Sequence, residues 1–556
     1  MIMVTRTKQK FIRKLKQMKS MKNSIIALIG ILSIIGTFSA CKDDVELELP
    51  YLFRPINFTT EINKTEVTFI WAPVDSAVTY NLLVSKDSIN FENPILDTTL
   101  NVLTYKQEFE GKTTFFARIR ANATDTTKHS KYNQIKFTTP AENLFEGYQS
   151  SMVAWKSIVI KWRPAANVTN LKLTAEDLTT TIKNLSASEI AAGEITLSDL
   201  NNSNYVVEIY RNDINRGKVK VLVEGDVYVD AGQDIAAAIT NATDGQVIVL
   251  SPGAVFQTGS STLRFTKNIK LKGANSNLYT VMCMTAGTPT STSNMLGFAD
   301  GSTLSFVRFE NIDFTGFCDN NPASTKIGYL FNNNLMTTVS NLSFTNCKLR
   351  NFGNTPMRLQ ANKSQVIDTL RMTKCIVNDI GFSSTYAIVN SNSSDFINNI
   401  YFNNCTFYNF KGSLILRTIT PPATATMGTV SIVNCTIDKG MQDPGSARYL
   451  LDLNNTTINS GVSLRNTIFG STGAAKGANG VRKLPEVVFT VSGSYYTTDY
   501  VDDPIPAGAT STSIKSLMTA YPDVSTALWI DPVAGDFKLK ATNFTGKGTV
   551  GDLRWY

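Results

Sequence analysis

The chain holds one histidine, His129, in the run Asp125-Thr126-Thr127-Lys128-His129-Ser130. That composition is a turn's, so His129 reads as a solvated loop residue, and no histidine follows it to act as base or metal ligand. Paired acids are scarce as well: between residues 230 and 480 no two aspartates are adjacent. Hydrolysis by a clustered pair of carboxylates therefore lacks its residues. What remains is a set of basic, amide and single acidic side chains at the ends of short apolar runs, 329–332, 357–360, 387–390, 414–417 and 449–452. Read as strands in register, these runs place Asn332, Gln360, Asn390, Arg417 and Asp452 in one outward column. Arg417 would take a proton beside a carboxylate or clamp that carboxylate, with Asp452 one coil away to orient it or to bind Ca²⁺. Arg358 and Lys363 stand near enough to assist an acidic ligand. Two residues earlier the outward places read Leu330, Arg358, Ile388, Ile415 and Leu450, which suits a covered face, and the chain after residue 480 is the segment expected to cover it.

The elements that would carry this column come from an internal repeat. Phe309-Glu310-Asn311-Ile312-Asp313-Phe314 recurs at 344–349, 372–377, 402–407, 432–437 and, more weakly, 464–469, at intervals of 35, 28, 30, 30 and 32 residues. Such a period is one coil of a parallel β-helix with loops of variable length. Apolar places alternate up to the first residue of the repeat and resume at the fourth, so the parity breaks at a two-residue corner. The second corner residue is Asn311, Asn346, Asn404, Asn434 and Asn466, with Lys374 the exception. Asparagine tolerates the left-handed backbone of a tight corner, and its amide can bond the asparagine one coil away. Just past the corner, Cys347, Cys375, Cys405 and Cys435 form an inward column. They read as free thiols packed as small apolar residues, and most of the six cysteines after Cys41 are expected to be free. No second face of ligands is present to make that column a metal site.

Ahead of the repeat, Asp234 is placed to cap a short helix, 235–240, and Asp244-Gly245 turns the chain into Gln246-Val247-Ile248-Val249-Leu250 before Ser251-Pro252-Gly253 ends the strand. A capping helix followed by this run resembles the entry of pectate-lyase-like right-handed β-helices, and the corner asparagines resemble their asparagine ladder. The resemblance implies a helix over 230–480 whose third strands line a polysaccharide groove. It also implies that any enzyme here would be a polysaccharide lyase, drawing on Ca²⁺, rather than a glycoside hydrolase. The segment 481–556 contains Tyr495-Tyr496-Thr497-Thr498-Asp499-Tyr500, a run from Trp529 to Phe537, and Gly551-Asp552-Leu553-Arg554-Trp555-Tyr556. It resembles the closing module of uncharacterised β-helix lipoproteins from Bacteroidetes glycan-utilisation systems, a family with no residue roles to transfer.

Two smaller domains precede the helix. Between 52 and 140 short alternating runs are broken by polar turns. Thr68–Pro73, Thr79–Val84, Phe115–Ala121 and Ile135–Thr139 resemble strands of a fibronectin type III sandwich, with Phe115 where the family has a tyrosine. A second copy, 148–228, lies 91 residues on: Trp71 and Pro73 map to Trp162 and Pro164, Tyr80 and Leu82 to Leu171 and Leu173, and Phe115 to Val206. The expected fold class is all-β, two such sandwiches followed by the helix and its closing module.

The N-terminus reads as a processing segment, 1–40, followed by a linker, 41–51. Eight basic residues and no acid precede the apolar stretch Ile25–Phe38, which is short for a membrane span and ends in small residues. Phe38-Ser39-Ala40-Cys41 resembles a bacterial lipobox, which implies lipidation of Cys41. Lys42-Asp43-Asp44 resembles the export tag of Bacteroidetes surface lipoproteins, which implies an outer-membrane protein facing the cell exterior. Without residues 1–40 the chain carries 45 basic and 45 acidic residues, so nothing favours nucleic acid. Three roles are therefore weighed: binding or presenting a polysaccharide, acidic ones included, with no cofactor; a pectate-type lyase; and a structural or adhesive surface protein.

Overall fold

The computed structural model describes residues 51–556 without 165–167, 285–289, 291, 319–325, 361–362, 392–394, 418–424, 444, 447, 454–455, 474–479, 483–488 and 502–510. The lipobox and export-tag residues Cys41, Lys42, Asp43 and Asp44 lie outside the described residues. The chain divides after Pro140 into two compact units.

The first unit is a sandwich of the fibronectin type III arrangement. Thr59–Asn63, Glu66–Ile70 and Thr104–Glu108 make one sheet; Leu96–Leu100, Thr79–Ser85, Thr114–Asn122 and Asn133–Thr138, in that spatial order, make the other. Strict alternation in Thr114–Asn122 sends Phe115, Ala117, Ile119 and Ala121 inward onto Phe69, Trp71 and Leu82. His129 sits beside the short turn Thr126–Lys128, where its Nδ1 accepts the Ala123 N–H at 3.1 Å.

The second unit opens with the same arrangement, Ser151–Ala154, Ser157–Lys161 and Glu194–Leu197 against Thr180–Asn184, Asn170–Thr174, Ser203–Arg211 and Ile214–Val223. The 91-residue offset fails in one strand. Tyr205, Val207 and Ile209 are buried there and Val206 is only half-buried, so Phe115 has no counterpart at Val206. Tyr205 donates its hydroxyl to the Asn201 carbonyl at 3.1 Å, a tyrosine corner that Phe115 cannot make. This sandwich passes directly into the helix: Val227–Val229 pairs in parallel with Ile248–Leu250, and Trp155 stacks on Tyr228 with ring centroids 5.2 Å apart.

From there the chain winds through three sheets, with ten, ten and nine strands among the described residues, one strand of each per coil. Asp234 accepts the Ala236 and Ala237 N–H groups at the start of the helix Ile235–Asn241, whose Ile235 and Ile239 close the first coil. All six corner residues, Lys374 included, hold φ between 48° and 58°. The Asn346 amide donates to Asn311 Oδ1 at 2.8 Å; past Lys374, Oδ1 of Asn404 and of Asn434 has no partner among the described residues, so the expected ladder is reduced to this one rung. A further corner, not legible as part of the repeat, is Gly493 (φ 60°), where a Cβ would come within 2.3 Å of Asn466 Oδ1. The coils also run beyond residue 480, to Thr519–Ala520 beside Tyr495–Tyr496.

Cys347, Cys375, Cys405 and Cys435 are free and fully buried, as the repeat predicts. Burial pushes the Cys347 thiol up to about 12. Hydroxyls continue the column: the Cys435 N–H reaches Thr467 Oγ1 at 3.4 Å, and the Thr467 N–H reaches Ser494 Oγ at 3.1 Å. Cys283 and Cys318 are instead joined in a disulfide with Cα atoms 5.5 Å apart. Cys318 lies just past a bend that follows its strand, Ile312–Thr315, where the parallel stacking that keeps the column thiols apart no longer applies.

The closing segment takes two steps. Tyr500 and Ile514 first plug the end of the core, and Ser511–Thr512 pairs antiparallel with Val481–Arg482. The chain then lies on the outward face of the second sheet. Trp529, Phe537, Phe544 and Val550 form a separate core there with Ile468, Tyr408 and Tyr495. Asp552 accepts the Thr406 hydroxyl at 2.9 Å, and Trp555 Nε1 donates to the same hydroxyl at 2.8 Å. The expectation that this segment covers the third sheet is thereby corrected: its aromatic residues pack on the second.

Candidate functional site

The third sheet carries the residues singled out above, in a different register. Phe331, Met357, Val389, Ile415, Leu451 and Val481 follow one another from coil to coil and fill the core. The outward column beside them is Asn332, Arg358, Asn390, Leu416, Asp452 and Arg482. Asn332, Asn390 and Asp452 thus share a column as expected. Arg358 stands where Gln360 was placed, and Leu416 where Arg417 was placed. The cause is the corner entering each strand, where two successive apolar residues are both buried: Leu330 with Phe331, Ile388 with Val389, Leu414 with Ile415 and Leu450 with Leu451. Alternation carried through that corner shifts the register by one or two places. The same residues account for the apolar positions that suggested a covered face; they belong to the core.

Gln360 lies past its strand, its N–H bonded to the Asn333 carbonyl at 2.9 Å. Lys363 is exposed in the following turn, its N–H donating to the Asp395 carboxylate at 3.0 and 3.1 Å. Arg417 is level with Ser391, and its side chain lies outside the described residues. Asp452 pairs with Arg482 at 3.4 Å. The register therefore separates the two residues assigned to proton abstraction. Among the described residues no three His, Cys, Asp or Glu stand together as metal ligands.

What the fold assembles here is a band of rings and cations, with Tyr329 buried and Tyr386, Tyr449 and Phe382 partly exposed. Arg358 lies over Tyr386 at 4.6 Å from the ring centroid and over Tyr329 at 5.8 Å, and its Nη1 donates to the Tyr329 hydroxyl at 3.3 Å. Among the described residues its buried Nε has no partner, nor has Oδ1 of Asn332 one coil away. Burial raises the Tyr329 hydroxyl above the usual tyrosine range. Arg482 lies 5.3 Å from the Tyr449 ring. Beside them, Phe382 is 42 % exposed between Lys326 and Lys411, at 5.5 and 5.1 Å. Among the described residues, Arg358, Lys326 and Lys411 have no carboxylate partner. Planar rings and unneutralised cations can stack on pyranose faces and bind carboxylate or sulfate groups. The tyrosines were legible: Tyr329-Leu330-Phe331, Tyr386-Ala387-Ile388-Val389 and Tyr449-Leu450-Leu451 each set a tyrosine at or just before the start of a third strand.

Comparison with known proteins bears on the two ends of the chain. A protein-family model described as a domain of unknown function, DUF5123, matches residues 430–555, the last coils with the closing module. A two-domain fibronectin type III segment of chicken tenascin is 15 % identical, covering 30 % of this chain and 97 % of its own, at a TM-score of 0.18. The first three fibronectin domains of chicken CNTN1 are 11 % identical, covering 31 % and 67 %, at a TM-score of 0.14. Scores this low add nothing to the sheet order, on which the sandwich assignment stands. No curated protein matches the chain.

Proposed function

We propose that the protein is a lipid-anchored cell-surface protein that binds polysaccharide, preferentially anionic, along the third sheet of its helix. The observation that carries this reading is Arg358, which lies 4.6 Å from the Tyr386 ring and 5.8 Å from the Tyr329 ring on an outward column, with no carboxylate partner among the described residues. Lys326 and Lys411 around Phe382 extend the same chemistry along the helix. Anchorage rests on the lipobox-like Phe38-Ser39-Ala40-Cys41 and export to the exterior on Lys42-Asp43-Asp44. Two acyl chains, at about 0.8 kcal/mol per buried CH₂, hold a protein on a membrane stably. A lyase reading would draw on Arg417 and Asp452, which stand at different register positions of the third sheet.

Gel retardation against matched carboxylated, sulfated and neutral polysaccharides tests the proposal, with absorbance at 235 nm followed in parallel for unsaturated product. Retardation by the acidic members without any rise in absorbance is expected. Absence of retardation throughout, or product formation by wild type, would contradict it. Cell fractionation of Cys41→Ala tests anchorage separately: the variant should leave the membrane fraction.

A further inference from the structure

The first sandwich presents an apolar surface that its own core does not need. Tyr51, Phe53 and Ile56 are 59 %, 68 % and 64 % exposed, although Phe58 and Trp71 beside them in sequence or sheet are buried. The segment is pinned rather than loose. The Leu52 N–H donates to the Lys128 carbonyl, the Ala72 N–H to the Ile56 carbonyl and Asn133 Nδ2 to the Pro55 carbonyl, each at 2.9 Å. Backbone held this way keeps the rings directed outward at a cost in hydration that a lone surface residue would not explain. With Arg54, Asp75 and Lys131 they line a shallow concavity of about 730 Å³.

We infer that this patch seats on the bilayer that holds the lipid anchor, a step that rests on the anchorage of Cys41 proposed above. Tyr51 follows Cys41 by only ten positions, and a chain that long spans at most ~36 Å when fully extended. The patch is therefore the described surface closest to the anchor along the chain. Its composition is that of an interfacial contact: rings with apolar bodies, one with a polar tip, flanked by long basic side chains that can reach phosphate headgroups. Arg54 and Lys131 outnumber the one acid, Asp75. Seating would fix the orientation of the first sandwich relative to the membrane instead of leaving it on a free tether.

The competing occupants are the chain's own alternating Val45-Glu46-Leu47-Glu48-Leu49 and a second copy of the protein. Nitroxide labels decide among them. The full lipidated chain is labelled at Phe53→Cys or, as a control, at Ile89→Cys, a residue 87 % exposed in the same sandwich. The native free thiols of the helix are buried and do not compete for label. Each form is studied in detergent and in phosphatidylcholine–phosphatidylglycerol vesicles. In vesicles, the label at 53 should lose contact with a water-soluble nickel chelate several-fold and gain contact with oxygen, while the label at 89 changes in neither. Equal nickel access at both sites, in protein that floats with the vesicles, overturns the inference and leaves anchorage intact. Shielding at 53 that is the same in detergent assigns the patch to the 45–49 segment or a second copy and also overturns it. Failure to float removes the anchor and the inference together.

Discussion

Asp438→Asn should stabilise the helix at pH 8 and leave it unchanged at pH 4. Asp438 is fully buried beneath the closing module, where Gly470 admits the Trp529 ring. Its Oδ1 accepts the Ser471 N–H at 2.8 Å and its Oδ2 has no partner. Burial first, with the Asp499 carboxylate adding to it, pushes the Asp438 carboxyl up to about 7. Below the unfolded value of ~3.9 both states are protonated and the residue contributes nothing to pH dependence. Between ~4 and 7 the unfolded chain ionises while the folded protein keeps its proton, so stability falls as pH rises. Above 7 the loss is complete. At ~1.4 kcal/mol per pH unit the full gap is ~4 kcal/mol, and relaxation of the site brings the expected gain for Asp438→Asn to ~2–4 kcal/mol at pH 8. At pH 4 the neutral acid and the amide each leave one polar group unpaired, and the two proteins should match. Urea unfolding can be followed at the helix itself by pulsing with a methanethiosulfonate reagent, which reaches Cys347, Cys375, Cys405 and Cys435 only when the coils open. A gain of the same size at both pH values, or none at either, would refute the reasoning.

Thiol titration of the denatured, non-reduced mature chain should find four free cysteines, and peptide mapping should find Cys283 linked to Cys318. Cys405→Phe should overpack the column and cost ~1–3 kcal/mol in the same unfolding assay. Lys374→Asn, at a corner held at φ 54° between the Asn346 and Asn404 coils, should raise stability by ~0.5–1 kcal/mol because asparagine tolerates that backbone better. A lower urea midpoint for that variant would count against the ladder.

Much of the helix was legible because its corners leave a mark in the sequence. A parity break every ~30 residues, with asparagine on it, admits few structures other than stacked coils, and the cysteine column followed from that register alone. The third sheet left no such mark. Its strands are two to five residues long and are entered through corners of differing length, so Arg358 and Arg417 were set two places and one place out of column. The closing segment has no periodicity, and its landing place depends on shape: glycines at 470 and 535 let Trp529 and Tyr408 approach closer than a Cβ would allow. The disulfide escaped for a related reason. Even spacing describes the column, whereas Cys283 and Cys318 meet off it.

The most direct test of the central claim is calorimetric titration of an acidic polysaccharide into wild type, Arg358→Gln and Tyr386→Ala at low and at moderate salt. A charge-assisted contact to a carboxylate or sulfate contributes ~1.5–3 kcal/mol, so Arg358→Gln should weaken binding roughly ten- to hundredfold at low salt. Tyr386→Ala should weaken binding at both salt concentrations, and the salt dependence should shrink in Arg358→Gln. Wild-type affinity in both variants, with unchanged salt dependence, would place the ligand elsewhere and contradict the account.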